Sequence, residues 1–268
     1  MGDEFRVGWV THHLPVADTG GGKWLPGHFR GGAELSDAAY RSQAPEWVDI
    51  DLIPPDKWER ALGCDRIVVT GTDLLSEEAM IRLAEESPMV FVHHEQTESP
   101  GRMVLIENAD PFVVHTPAHL QRELVWTEPK RTELVLSYFD TDECYEAKKQ
   151  NFALWAARNH PQKGLMQARV WAHAAGFPLV IMSQSPREEV LEMMSRAQAF
   201  VHLPLTFESE CRSVMEAVLS GCVVQTNRNV GLTSVDGWND KQKLRDMVDR
   251  AGHDFWNLVL GEPCRYRY

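Results

Sequence analysis

Two glutamates, Glu208 and Glu216, flank a short loop that leads into a helix, in the stretch Leu203 to Gly221, LPLTFESECRSVMEAVLSG. The apolar residues Ala199, Phe200 and Val201 end a strand, and Val214, Ala217, Val218 and Gly221 then repeat at helical spacing. Glu208 lies in the loop. Glu216 sits one turn inside the helix, where side chains incline back toward the N-terminal end, so the two carboxylates can face one small space. Unpaired amides from about Arg212 to Val214 would point into that space, beside the loop residues Ser209, Glu210 and Cys211, and helix-start amides hold phosphate well. Carboxylates repel the phosphate itself. They fit if they accept hydrogen bonds from hydroxyls attached to it, as on a ribose and a sugar. A structural reading competes: Ser213-Val214-Met215-Glu216 also matches a capping box, with Ser213 as the cap.

A second set of polar residues follows another strand. Asn151 to Ala157 leads into Arg158-Asn159-His160-Pro161-Gln162-Lys163-Gly164 and then a helix from Leu165 to Ala175. Cations between a strand and a helix start are placed to neutralise phosphates. A histidine pair, His93 and His94, followed by Glu95, ends a strand that begins at Met89; as a bare pair it reads equally as a solvated turn.

The elements that would position these groups alternate. Strands are expected at 5–11, 47–53, 65–70, 89–93, 151–157, 179–183, 197–203 and 222–226, and at 103–107 continuing into 111–117. Helices are expected at 56–62, 76–86, 118–125, 165–175 and 187–196, and two more at 241–248 and 253–260. Strands interleaved with helices indicate a parallel, doubly wound sheet, whose ligands gather beyond the carboxyl ends of the strands. The polar stretch from His12 to Gly32 is long for a loop, and its glycines, Gly31 and Gly32 before the helical pattern of Leu35, Ala38 and Ala39, allow close approach of backbone to a ligand.

Glu208-x7-Glu216, with Leu-Pro before it and Ala-x3-Gly-x-Val-Val after it, resembles the donor-binding motif of the retaining family 4 glycosyltransferases with the GT-B fold. Arg158 and Lys163 resemble that family's GRxxxxKG element, with Ala157 where the family has its first glycine. Gly31-Gly32-Ala33-Glu34 resembles its GGxE loop, and His94, or His93 in the other register, its active-site histidine. The likeness spans about residues 4 to 232. It implies an α/β fold of two Rossmann-like, doubly wound domains facing across a cleft: residues 1–138 on the acceptor side, 139–240 on the nucleotide-sugar side, and 241–268 as helices returning to the first domain through Phe255, Trp256 and Leu258. It further implies transfer of a hexose, with UDP-glucose as the expected donor, onto a hydroxyl with retained configuration. His94, Arg158, Lys163 and Glu208 would be catalytic. Gly31, Gly32, Ser209, Glu210, Cys211, Arg212, Ser213 and Glu216 would hold the donor, and no metal or other cofactor is required.

Composition agrees with an ordinary globular chain of 268 residues, 43% hydrophobic and 25% charged. The absence of a long apolar run and of a basic leader at Met1-Gly2-Asp3-Glu4 leads us to expect a cytoplasmic protein. Five scattered cysteines without a CxxC pair point to neither a disulfide framework nor a zinc site. Asp140-Thr141-Asp142 matches a DxD metal motif, but its place in an interdomain linker argues against that role; Asp49-Ile50-Asp51 lies within a strand. A formal charge of −12 weighs against a broad nucleic-acid face. Because the chain is short for the family, a phage-type enzyme acting on a hydroxymethylated DNA base is one alternative, with Lys130-Arg131 and Arg265-Tyr266-Arg267-Tyr268 as phosphate contacts. A catalytically silent nucleotide or sugar binder is another.

Overall fold

The computed structural model of the chain describes residues 5–11, 32–72, 74–86, 88–94, 99–183 and 185–262, with backbone alone at 32–35 and 86. The described residues form two parallel sheets. The first holds β1 (Phe5–Val10), β2 (Val48–Ile53), β3 (Arg66–Val69), β4 (Met89–Val92), β5 (Phe112–Val114) and β6 (Thr132–Leu134), in the order β2-β1-β3-β4-β5-β6. The second holds β7 (Gln150–Ala156), β8 (Leu179–Met182), β9 (Ala197–His202) and β10 (Val223–Thr226), in the order β10-β9-β7-β8. Central strands of parallel sheets are covered on both faces and therefore read as continuous apolar runs. Met89 to Val92 is such a run, buried along its whole length.

Among the described residues eight α-helices make the crossovers and covers: α1 (Gly32–Ser42), α2 (Glu77–Glu86), α3 (Pro100–Asn108), α4 (Pro117–Glu123), α5 (Leu165–Ala174), α6 (Arg187–Arg196), α7 (Arg212–Leu219) and α8 (Lys241–Val259). In each sheet the chain reverses its direction of travel at one point, between β1 and β3 in the first and between β7 and β9 in the second. Such switch points open a crevice at the carboxyl ends of the strands. His202, Arg158 and Lys163 follow or end β9 and β7, and Thr11 and Thr70 follow β1 and β3.

Three expectations are corrected. Residues 103–107 lie in helix α3, because the Ser99 hydroxyl caps the Arg102 amide at 3.3 Å and Pro100 occupies the first turn. Residues 56–62 form a 3-10 segment, Pro55–Gly63. The two C-terminal helices are one, α8, running through Gly252, where an added Cβ would come within 2.9 Å of Gln43. A helix interior tolerates that glycine here because the packing needs its absent side chain.

Helix α8 ties the two sheets together. Near its start Arg245 bonds Thr141 and Asp142. Near its end Phe255 stacks on Tyr40 at 4.4 Å, and the Trp256 indole donates to the Tyr40 carbonyl at 2.7 Å. One apolar cluster runs through both halves, joining Trp9, Val68 and Val92 to Leu154, Phe200, Val214 and Phe255. Among the described residues no helix is long and apolar enough to cross a membrane.

Candidate active site

Lys163 and Glu208, separated by 45 residues, form an ion pair of 3.0 Å at the carboxyl edge of the second sheet. The turn after β7 sets the lysine. His160 caps the 3-10 turn Pro161–Lys163, and Gly164 follows with φ +75°. An added Cβ on Gly164 would lie 1.9 Å from the Leu203 carbonyl oxygen, so the turn sits directly against the end of β9. The Leu205 amide donates to Gln162 at 2.8 Å and fixes the loop to the same turn. The loop is braced from its other side, since the Glu208 amide donates to Asn229 at 2.7 Å and Gly231 donates to the Glu208 carbonyl at 2.8 Å.

His202 completes the group and was not anticipated. Its Nε2 lies 3.1 and 3.0 Å from the two Glu208 oxygens, and the ring is buried. Burial opposes the Glu208 anion, but the hydrogen bond and charge of His202, with Lys163 beside it, outweigh burial and hold the carboxyl at about 2. Burial also opposes the charged form of His202, and Cys211 and Glu208 overcome it and raise the imidazole to about 10. Glu208 is therefore a fixed anion between two cations. A histidine closing the run Ala199-Phe200-Val201 was visible as a strand-end polar residue of the same kind as His93 and His94.

Glu216 belongs to a different set of contacts. Its Oε1 accepts from Arg212 Nε at 2.9 Å and from Arg187 Nε and Nη2 at 3.2 and 3.1 Å, while Arg187 also grips Glu143. The capping box is absent. Helix α7 starts from Cys211, at φ 79° and ψ 81°, with no side-chain cap, and Glu216 faces guanidinium groups instead. The Val214 amide is already bonded to the Cys211 carbonyl at 3.0 Å, so the amides expected to be open at the helix start do not extend to Val214. The Ser213 hydroxyl lies 3.4 Å from the Cys211 sulfur. The Arg158 side chain makes no hydrogen bond or ion pair among the described residues.

Ser209 and Glu210 bind the loop to the first sheet. The Ser209 carbonyl accepts from Thr116 Oγ1 at 2.7 Å, and its hydroxyl donates to the His94 carbonyl at 2.9 Å. Glu210 is buried and accepts from the Ser137 amide at 2.6 Å; desolvation outweighs that bond and lifts its carboxyl to about 7. The loop thus hands one glutamate to each side: Glu208 to the second sheet and Glu210 to the first.

On the first sheet His93 is buried and the His94 side chain is 7% exposed, so the pair is not a solvated turn. His94 lies between Asp37 Oδ1, 3.2 Å from its Nε2, and His115 Nε2, 2.8 Å from its Nδ1. Asp37 also accepts from Thr11 at 3.0 Å and Thr70 at 2.6 Å, the residues that follow the two switch-point strands. Burial first, and His94 next, hold His115 well below the ordinary histidine range, so it is neutral. Its Nδ1 donates to the Val135 carbonyl at 2.8 Å, which leaves Nε2 to accept from His94. His94 therefore spends its Nδ1 proton on His115, and its contact with Asp37 is a hydrogen bond only with a further proton between the two. His93 turns away toward His119 and Glu123. Of the remaining sequence candidates, Gly32 opens α1, while Gly31, Glu95 and 265–268 lie outside the described residues. Asp140 caps a 3-10 turn and Asp142 pairs with Arg245, a structural use of the DxD sequence.

No protein-family model matches the sequence, and no curated protein matches it. Solved structures do match in fold. AviGT4, a glycosyltransferase involved in avilamycin A biosynthesis, aligns with a TM-score of 0.65 at 18% identity over 96% of this chain and 94% of its own. The chain has the GT-B fold. Anabaena HepE in complex with UDP-glucose aligns at a TM-score of 0.56 and 13% identity, covering 95% of this chain and 91% of that one. An α-glucosyltransferase in complex with UDP and a 13-mer DNA aligns at 0.53 and 13% identity, covering 95% and 92%.

Proposed function

We propose that the chain is a retaining glycosyltransferase that moves a hexose, glucose from UDP-glucose in the first instance, onto a hydroxyl acceptor. The observation that carries this reading is the Lys163–Glu208–His202 group at the switch point of the second sheet, tied through Ser209 to His94 on the first. Sugar hydroxyls donate to carboxylates, and Glu208, kept ionised by two cations, is suited to accept from them. Lys163, together with the uncommitted Arg158, would neutralise charge growing on the departing diphosphate, and such electrostatic stabilisation is large in a water-excluded site. Glu216, with one oxygen held by Arg187 and Arg212, would present the other to the ribose hydroxyls. Its arginine partners fix its direction.

The His94–Asp37 pair would lie at the acceptor side of the transferred sugar. Front-face substitution with retained configuration is the step that the resemblance of Glu208-x7-Glu216 to the retaining family implies, and that step would call for neither a side-chain nucleophile nor a metal. The basic pair offered for DNA contacts is already in use: Lys130 bonds Asn108 at 3.0 Å, and Arg131 pairs with Glu133 at 2.9 Å. Together with the formal charge of −12, which weighs against a broad nucleic-acid face, our reading takes a saccharide or small-molecule hydroxyl before a DNA base as acceptor.

The test is a thermal-shift and turnover screen with UDP, GDP, ADP and their sugars, since a ligand that binds only the native state raises its stability. One nucleotide should raise Tm, and its sugar should be turned over with release of the nucleoside diphosphate. A rise in Tm without turnover on any acceptor would favour the silent binder, and no shift with any nucleotide would remove the reading altogether. A parallel arm with hydroxymethylated duplex as acceptor should give no product.

A further inference from the structure

Away from the donor residues, three metal-ligating side chains meet in the first half of the molecule. His93 immediately follows β4, and His119 and Glu123 lie one turn apart on α4. His93 Nε2 is 3.5 Å from Glu123 Oε1, and His119 Nε2 is 3.6 Å from the same oxygen. Those separations are too long for good N–H···O hydrogen bonds, which centre near ~2.9 Å. They are close to the ~3.3 Å edge of a tetrahedron whose ligands stand about 2.0–2.1 Å from a zinc ion. His119 is fully buried, yet among the described residues neither of its ring nitrogens has a hydrogen-bond partner. A buried imidazole lacking partners on both nitrogens is costly, and a metal ion beside Nε2 supplies one of them.

We propose that His93, His119 and Glu123 form a site for a zinc-class divalent transition-metal ion, with the fourth position left to water. Two imidazoles and one carboxylate suit that class of ion better than magnesium or calcium, which take oxygen ligands. Burial pushes the Glu123 carboxyl up and the charge of Arg102 opposes that push, while a second cation nearby, Arg122, lies over the Phe207 ring at 4.1 Å. The other cluster of ligand type, His202, Glu208 and Cys211, is less suited, since Glu208 is already held at hydrogen-bonding distance by His202 and Lys163. The ion would pin the end of β4, where His94 begins, to the helix that Thr116 caps. Both residues contact Ser209, so the site would stiffen the support of the cleft while touching none of the proposed donor ligands.

The experiment uses the full, untagged chain stripped with a chelator and titrated with Co2+, read by visible d–d absorption and by calorimetry. One equivalent should bind with the absorption of four-coordinate Co2+, Zn2+ should displace it, and Tm should rise with metal. His119→Ala and Glu123→Gln should each weaken binding at least tenfold, whereas Cys211→Ser and the exposed-site control His173→Ala should leave it unchanged. Glu123→Gln keeps the size of the side chain, so the comparison holds if His119→Ala does not fold. No stoichiometric binding by the unmodified chain, equal binding by Glu123→Gln, or loss of binding in Cys211→Ser would each overturn the proposal.

Discussion

At the residue scale the decisive group is Glu208, and its setting makes a pH prediction. A carboxyl held at about 2 stabilises the fold above its unfolded value and loses that contribution as pH falls from about 4.3 toward 2. His202, raised to about 10, contributes fully below about pH 6.5 and loses its contribution as pH climbs from there toward 10. The stability difference between the parent chain and His202→Ala should therefore be largest between about pH 4.5 and 6.5 and should shrink on both sides, as followed by urea unfolding. A difference independent of pH would mean that the pair is not charged in the way described. Glu208 and Lys163 were legible because their types and their places after two strands are local features. Asp37, Arg187 and Glu143 were not, because nothing near them in sequence marks them. Arg187 reaches Glu216 across 29 residues, and Asp37 is a buried polar residue in an otherwise unremarkable helix.

At the element scale the site depends on a turn and a loop that leave little room. Gly164→Ala would place a methyl against the Leu203 carbonyl and force a left-handed φ on alanine. We expect a loss of at least ~2 kcal/mol in chemical denaturation, together with impaired donor turnover as Lys163 shifts. Unchanged stability would show that this turn can relax. Thr116→Val removes both the cap of α4 and the bond to Ser209, and should cost about 1–2 kcal/mol. The apolar strands could be read from sequence because parallel strands are apolar throughout. Residues 103–107 misled for the same reason, since a short buried helix and a buried strand share that composition. The capping box failed because Glu216 had two guanidinium partners to satisfy, which a motif of four residues does not reveal.

At the scale of the whole molecule, one apolar cluster joins the two sheets and α8 closes it. Unfolding should therefore be a single transition, with fluorescence and circular dichroism tracing the same urea curve. Phe255→Ala should lower stability by about 3–5 kcal/mol. Separate transitions for the two sheets would contradict this coupling. The sequence showed alternating elements and helix-forming residues near the C-terminus, but it could not show that Gly252 lies inside one long helix, because its tolerance depends on Gln43 and Tyr138 far away.

The most direct measurement is the kcat/KM for UDP-glucose of Lys163→Ala against the parent chain, with UDP release as the signal. If Lys163 stabilises the leaving diphosphate, the variant should fall by about a hundredfold or more while its far-ultraviolet circular dichroism stays the same. Equal rates in the two proteins would contradict the account.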